Sequence, residues 1–199
     1  NGRLTSIFER DYAEIAIADL DSNGTTDLCL LTPQAQSTLL FLACSTDSGF
    51  ETVDSLTLPH GIVSFDSILA GRTANGQTAL FLDSTVDLYD TSFQITDVIS
   101  ARRREDGSPA LVNLLDNENL SLSKLTLRPM QNLFCRDIDN DSIIEIPTAS
   151  TLPGYEDMLD EDALYLTTYN ILTPNVQLTP EHSGVINTQH RYMLAFPQN

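Results

Sequence analysis

Tryptophan is absent from the 199 residues, lysine occurs once, at Lys124, and basic residues number 10 against 28 acidic ones. A formal charge of −18 leaves no basic footprint for nucleic acid or an anionic membrane face. Three cysteines, Cys29, Cys44 and Cys135, are odd in number and show no CxxC spacing. That pattern argues against a disulfide framework or a zinc site, and Cys29 and Cys44 read as buried free thiols in apolar runs. No apolar stretch approaches the ~20 residues a membrane helix needs, the longest being Leu39 to Cys44. No GxSxG elbow, HExxH helix, Walker loop or GxGxxG after a strand is present, so no recognised catalytic motif is found. His60, His182 and His190 lie on polar or turn-like stretches and read as exposed surface. Without tryptophan a sugar-binding platform lacks its commonest residue, and Tyr12, Tyr155, Tyr165, Tyr169 and Tyr192 read as core or rim packing. Asn1-Gly2-Arg3 has neither an initiator Met nor an apolar leader, which predicts a chain processed or cut from something longer.

At 41% apolar and 19% charged the chain has enough to bury, and its apolar residues come in short β-branched and aromatic runs between turn residues. The expectation is all-β. Strands are predicted at Glu14 to Ala18, Asp27 to Leu31, Thr38 to Ala43, Thr52 to Leu58, Ser67 to Ala70, Thr78 to Leu82, Val86 to Tyr89 and Ile95 to Ser100. Further strands follow at Ala110 to Leu114, Lys124 to Leu127, Asn132 to Cys135, Ile143 to Pro147, Leu164 to Tyr169 and Val176 to Thr179, with a last hairpin-like pair ending at Phe196. So many short strands suit a sandwich, barrel or propeller.

One unit, an apolar strand, a tight polar loop and a second strand, can be laid over itself in four copies when aligned on a loop glycine. Their loops hold Gly24, Gly76, Gly107 and, in the fourth, Ser142 at that position. This predicts a β-propeller of four to five blades, or part of a larger one, over residues 1–162, with closing strands or a further module at 163–199. A single domain over 1–199 is the alternative. Glu156 to Asp162 reads as an exposed acidic loop, and Arg102-Arg103-Arg104, the one basic cluster, as a solvated loop tip.

The first loop spaces Asp19, Asp21, Asn23 and Asp27 at positions one, three, five and nine, with the carbonyl of Thr25 at seven. Such spacing converges oxygens at the ~2.3–2.6 Å a hard cation wants, and glycine at position six allows the sharp turn. The fourth loop repeats it with Asp137, Asp139, Asp141, the carbonyl of Ile143 and Glu145. Plain hairpin turns use the same residues without a metal, but three clustered aspartates repel unless a cation compensates. Two Ca2+ sites are therefore expected, and the second and third loops, lacking the acids, are expected to be metal-free. Sequons at Asn23 and Asn119 read as chance, since a glycan on Asn23 conflicts with a ligand role.

The D-x-D-x-[DN]-G-x-x-[DE] loop between strands resembles the FG-GAP, or VCBS-like, repeats of integrin-type β-propellers, over about residues 7 to 150. An EF-hand fits less well: its position-twelve Glu is Leu30 in one loop and Thr148 in the other, and the flanks read as strands. The stretch Phe134 to Pro147 also looks like uncharacterised propeller-like proteins of Gram-positive bacteria. The resemblance implies calcium in the loops and an extracellular or cell-envelope location, and it names no ligand. The expected function is a non-catalytic, calcium-stabilised binding or scaffold module with a protein or glycan partner. No nucleic acid, membrane insertion or particular oligomeric state is implied. The alternative is a polysaccharide-active enzyme or carbohydrate-binding propeller, which needs two carboxylates in an open pocket outside the metal loops.

Overall fold

The computed structural model describes residues 14–88, 91–115, 127–129, 134–150, 163–172 and 177–187. Among them there is no helix, and none therefore long and apolar enough to cross a membrane. Three antiparallel sheets account for the regular structure. The first is a meander of β1 (Glu14–Ala18), β2 (Asp27–Pro33), β3 (Thr38–Thr46) and β4 (Gly49–Leu58). The second is a meander of β5 (Ile62–Arg72), β6 (Thr78–Leu88), β7 (Thr91–Arg103) and β8 (Pro109–Asn113), with β9 (Leu127–Pro129) also paired to β7. The third orders β10 (Ile146–Ser150), β11 (Ala163–Leu172) and β12 (Gln177–Asn187). β11 pairs directly with β10, so the chain on either side of 151–162 belongs to one sheet.

Strand alternation sends neighbouring side chains to opposite faces, and on β6 both faces are used. Leu80, Leu82 and Val86 join Ala16, Cys29, Leu31, Leu40 and Leu42 of the first sheet in one core. Ala79 and Phe81 join Ile144, Ile146 and Ile171 in a second core shared with the third sheet. The second sheet thus lies between the other two, and a strand covered on both faces reads as a continuous apolar run, as Ala79 to Leu82 does. β1 packs beside β5 and β6, and β4 beside β8, so in the first two sheets first strand neighbours first strand and last strand neighbours last strand.

Most predicted strands coincide with observed ones. Thr78 to Leu82 and Val86 to Tyr89, read as two, are one strand through Leu88. The polar residues that suggested a break are buried inside it: Asp83 accepts from Thr96 Oγ1 at 2.6 Å and from the Cys135 amide at 2.6 Å. Asn132 to Cys135 lies partly outside the described residues, and what is described there is not a strand. Residues 188–196 and the acidic run 156–162 also lie outside them. Of the four aligned loops, the first joins β1 to β2, the second and third are two hairpins, β5–β6 and β7–β8, of one sheet, and the fourth is closed by an isolated Arg136–Glu145 bridge just before β10.

Candidate metal centre

The two acidic loops have the same architecture. Each is closed by one residue before position one and the residue at nine: Ala18 pairs with Asp27, and Arg136 with Glu145 through reciprocal backbone bonds of 3.2 and 3.0 Å. Within the first, the Asn23 amide donates to Asp19 Oδ1 (2.9 Å) and Asp21 Oδ1 (3.0 Å), Gly24 to Asp19 Oδ2 (3.0 Å), and Thr25 to Asn23 Oδ1 (2.7 Å). Within the second, Asp141 donates to Asp137 Oδ1 (3.1 Å) and Asp139 Oδ1 (3.1 Å), Ser142 to Asp137 Oδ2 (3.0 Å), and Ile143 to Asp141 Oδ1 (2.7 Å). A fifth bond also recurs, from Leu20 N to Asp27 Oδ2 at 3.0 Å and from Ile138 N to Glu145 Oε2 at 2.6 Å. Side-chain oxygens, all carboxylate except Asn23 Oδ1, here take the place of the backbone acceptors that close an ordinary hairpin.

The backbone conformations match as well. Position four is left-handed in both, at Ser22 (φ 55°) and Asn140 (φ 65°), and position six is left-handed in all four aligned loops: Gly24 (86°), Gly76 (82°), Gly107 (85°) and Ser142 (72°). The other two loops close differently. Thr73 N bonds Gln77 O at 3.0 Å and Gly76 N bonds Thr73 O at 2.8 Å, and Arg104, Ser108 and Gly107 repeat this at 2.8 and 3.0 Å. These connections, 73–77 and 104–108, are shorter than 19–26 and 137–144, and to their backbone bonds the side chains add Thr73 Oγ1 to Gln77 O (3.2 Å) in one and Ser108 N to Asp106 Oδ1 (2.9 Å) in the other.

Carboxylate oxygens of Asp19, Asp21 and Asp27 lie within 4.8 Å of one another, and so do those of Asp137, Asp139, Asp141 and Glu145. Asp27 and Glu145 are fully buried at position nine, while Asp19, Asp21, Asp137 and Asp139 are half-buried. Asn23 and Thr25 are exposed, and the Asn23 amide group donates to Asp21 Oδ2 at 2.9 Å. Asp27 Oδ1 is buried without a hydrogen-bond partner, and the carboxyl's pKa is raised, chiefly by burial, with the Cys44 thiol and Leu20 amide opposing. A buried carboxylate with one oxygen unbonded, grouped with two other carboxylates, fits a hard divalent cation: the group offers oxygen donors, and the cation supplies the missing positive charge. Asp19, Asp21, Asn23 and Asp27 with the Thr25 carbonyl, and Asp137, Asp139, Asp141 and Glu145 with the Ile143 carbonyl, are the groups that would hold it.

Other polar groups are differently placed from the reading of the sequence. His60 is not surface: its side chain is 12% exposed, and Nε2 lies 2.8 Å from Asp97 Oδ2, whose Oδ1 accepts from Asn113 Nδ2 at 2.7 Å. Arg104 is not a free loop tip, since its guanidinium pairs with Asp54 of β4. None of the three cysteines is in a disulfide; Cys44 is only half-buried, whereas Cys29 and Cys135 are buried. The burial of position nine and of His60 carries no signal in the residues alone; strand pairing creates both. No protein-family model matches the chain, and no curated protein matches it.

Proposed function

We propose that the chain forms blades of a β-propeller whose acidic loops bind calcium, and that it serves as a non-catalytic binding or scaffold module of a secreted or cell-surface protein. The observation that carries this reading is the recurrence of five backbone-amide to side-chain-oxygen bonds in the 19–27 and 137–145 loops, with Asp27 Oδ1 buried and unbonded in the first. Three antiparallel sheets joined by two shared cores, with β1 beside β5 and β4 beside β8 in the first two, support the propeller arrangement. Each acidic loop leads into a strand of its sheet, so an ion held there stabilises the folded state by mass action. The ion's work is charge compensation. The chain's own residues set the loop geometry and present a net-acidic surface suited to an uncharged or cationic protein or glycan ligand. Calorimetric titration of Ca2+ into chelator-treated protein, followed by thermal melts, tests the reading. Two sites and a calcium-dependent rise in Tm are expected, and Asp21→Ala or Asp139→Ala should lower Tm only with calcium present. No binding, or an equal loss in chelator, overturns it.

A further inference from the structure

We propose that Leu20 couples cation binding in the 19–27 loop to the packing of the first sheet on the second, an inference that rests on the calcium reading above. Leu20 stands between two ligand positions, Asp19 and Asp21, yet its side chain is only 1% exposed and belongs to the core that holds Leu80, Leu82 and Ile99 of the second sheet. Its amide donates to Asp27 Oδ2 at 3.0 Å, the carboxylate whose other oxygen is buried and unbonded. One residue is thereby tied through its backbone to the cation site and through its side chain to the core that the first two sheets share. The rest of the loop, Ser22 to Thr26, is exposed and has no such anchor.

Without a cation, three carboxylates whose oxygens lie within 4.8 Å of one another repel, and the exposed side of the loop yields first. Spreading Asp19 from Asp21 moves the residue between them. With a cation, both neighbours of Leu20 are fixed and its side chain is held in the inter-sheet core. Linkage makes the effect reciprocal: whatever loosens Leu20 weakens the ion, and whatever removes the ion loosens Leu20. The fourth loop supplies an internal control. Its equivalent residue, Ile138, makes the same amide bond to Glu145 but is only half-buried and stands outside both cores.

Two native thiols report on the two interfaces. Cys29, 1% exposed, faces the first core beside Ala16, and Cys135, 2% exposed, lies in the second. The experiment compares wild type, Leu20→Ala and Leu20→Met by calcium calorimetry, with alkylation of each cysteine followed by intact mass in calcium and in chelator. Leu20→Ala, which touches no ligand atom, should weaken one of two sites about tenfold and leave the other unchanged, and Leu20→Met should recover most of the loss. Calcium should slow Cys29 alkylation about tenfold in wild type but not in Asp21→Ala. Unchanged affinities in a folded Leu20→Ala protein overturn the coupling. If that variant does not fold, wild-type Cys29 decides: labelling indifferent to calcium, while two sites bind, overturns it. Absence of any calcium binding fails the parent reading instead and is seen in the first titration.

Discussion

A Cβ on Gly71 would collide with Ile144 Cγ1, so Ile144, two residues before β10, occupies the space where a side chain on β5 would begin. Ile144 N also donates to Arg72 O at 2.9 Å, fixing that approach by a backbone bond. Gly71 is the residue aligned with Asp19 and Asp137, and its loop is therefore closed to a position-one ligand by its neighbour as well as by its shorter length. Gly71→Ala should destabilise by about 2 kcal/mol, because Cγ1 is near the Ile backbone and has little freedom to retreat. Urea denaturation checks this; Gly71→Asp should destabilise further and create no third calcium site.

Ser142 holds a left-handed backbone (φ 72°) at the position where the other three loops have glycine. A left-handed L-residue costs about 1–2 kcal/mol, and glycine there loses about 0.5–1 kcal/mol of extra chain entropy on folding. Ser142→Gly should therefore stabilise by about 0.5–1 kcal/mol, read as a higher urea midpoint at unchanged slope. A lower midpoint would show that the Ser142 side chain contributes more than its strain costs.

The strands, and the loops that bring carboxylates together, were legible because both depend on local pattern: apolar runs for β2, β3 and β6, and alternating oxygens for 19–27 and 137–145. What was not legible depends on contacts between distant segments. Asp83, Ser84 and Thr85 resemble a turn, yet they run through the middle of β6 because Thr96 and Cys135 bond the carboxylate there. His60 and Arg104 look like surface residues until Asp97, 37 residues away, and Asp54, 50 residues away, are placed against them. The loop alignment itself held at position six, where backbone conformation is set by the turn, and did not distinguish a hairpin inside a sheet from the start of a new one.

Asp54 joins the outer edges of the first two sheets: it pairs with Arg104 and accepts from Leu111 N of β8 at 2.7 Å. Asp54 sits beside the irregularity between Leu42 and Ala43 in the β3–β4 ladder. Asp54→Ala should cost about 2 kcal/mol, since it strands the β8 amide, whereas Arg104→Ala, removing only an exposed partner, should cost about 0.5 kcal/mol. Equal losses from the two single variants in a double-mutant cycle would assign the whole effect to the ion pair.

Burial pushes the Cys29 thiol up to about 12 from an ordinary 9.0. Below pH 9 the thiol is protonated both folded and unfolded, and its titration contributes nothing to the pH dependence. Between pH 9 and 12 the unfolded chain releases the proton that the folded one retains, so stability falls as pH rises, by up to about 1.4 kcal/mol per pH unit. Cys29→Ala deletes this titration while losing some core packing. Wild type should therefore be the more stable at pH 8, with the gap narrowing through pH 9.5 and 10.5 in urea melts. A gap that stays constant over that range would mean that Cys29 does not ionise on unfolding, and the assignment of its thiol to the dry core between the first two sheets would be wrong.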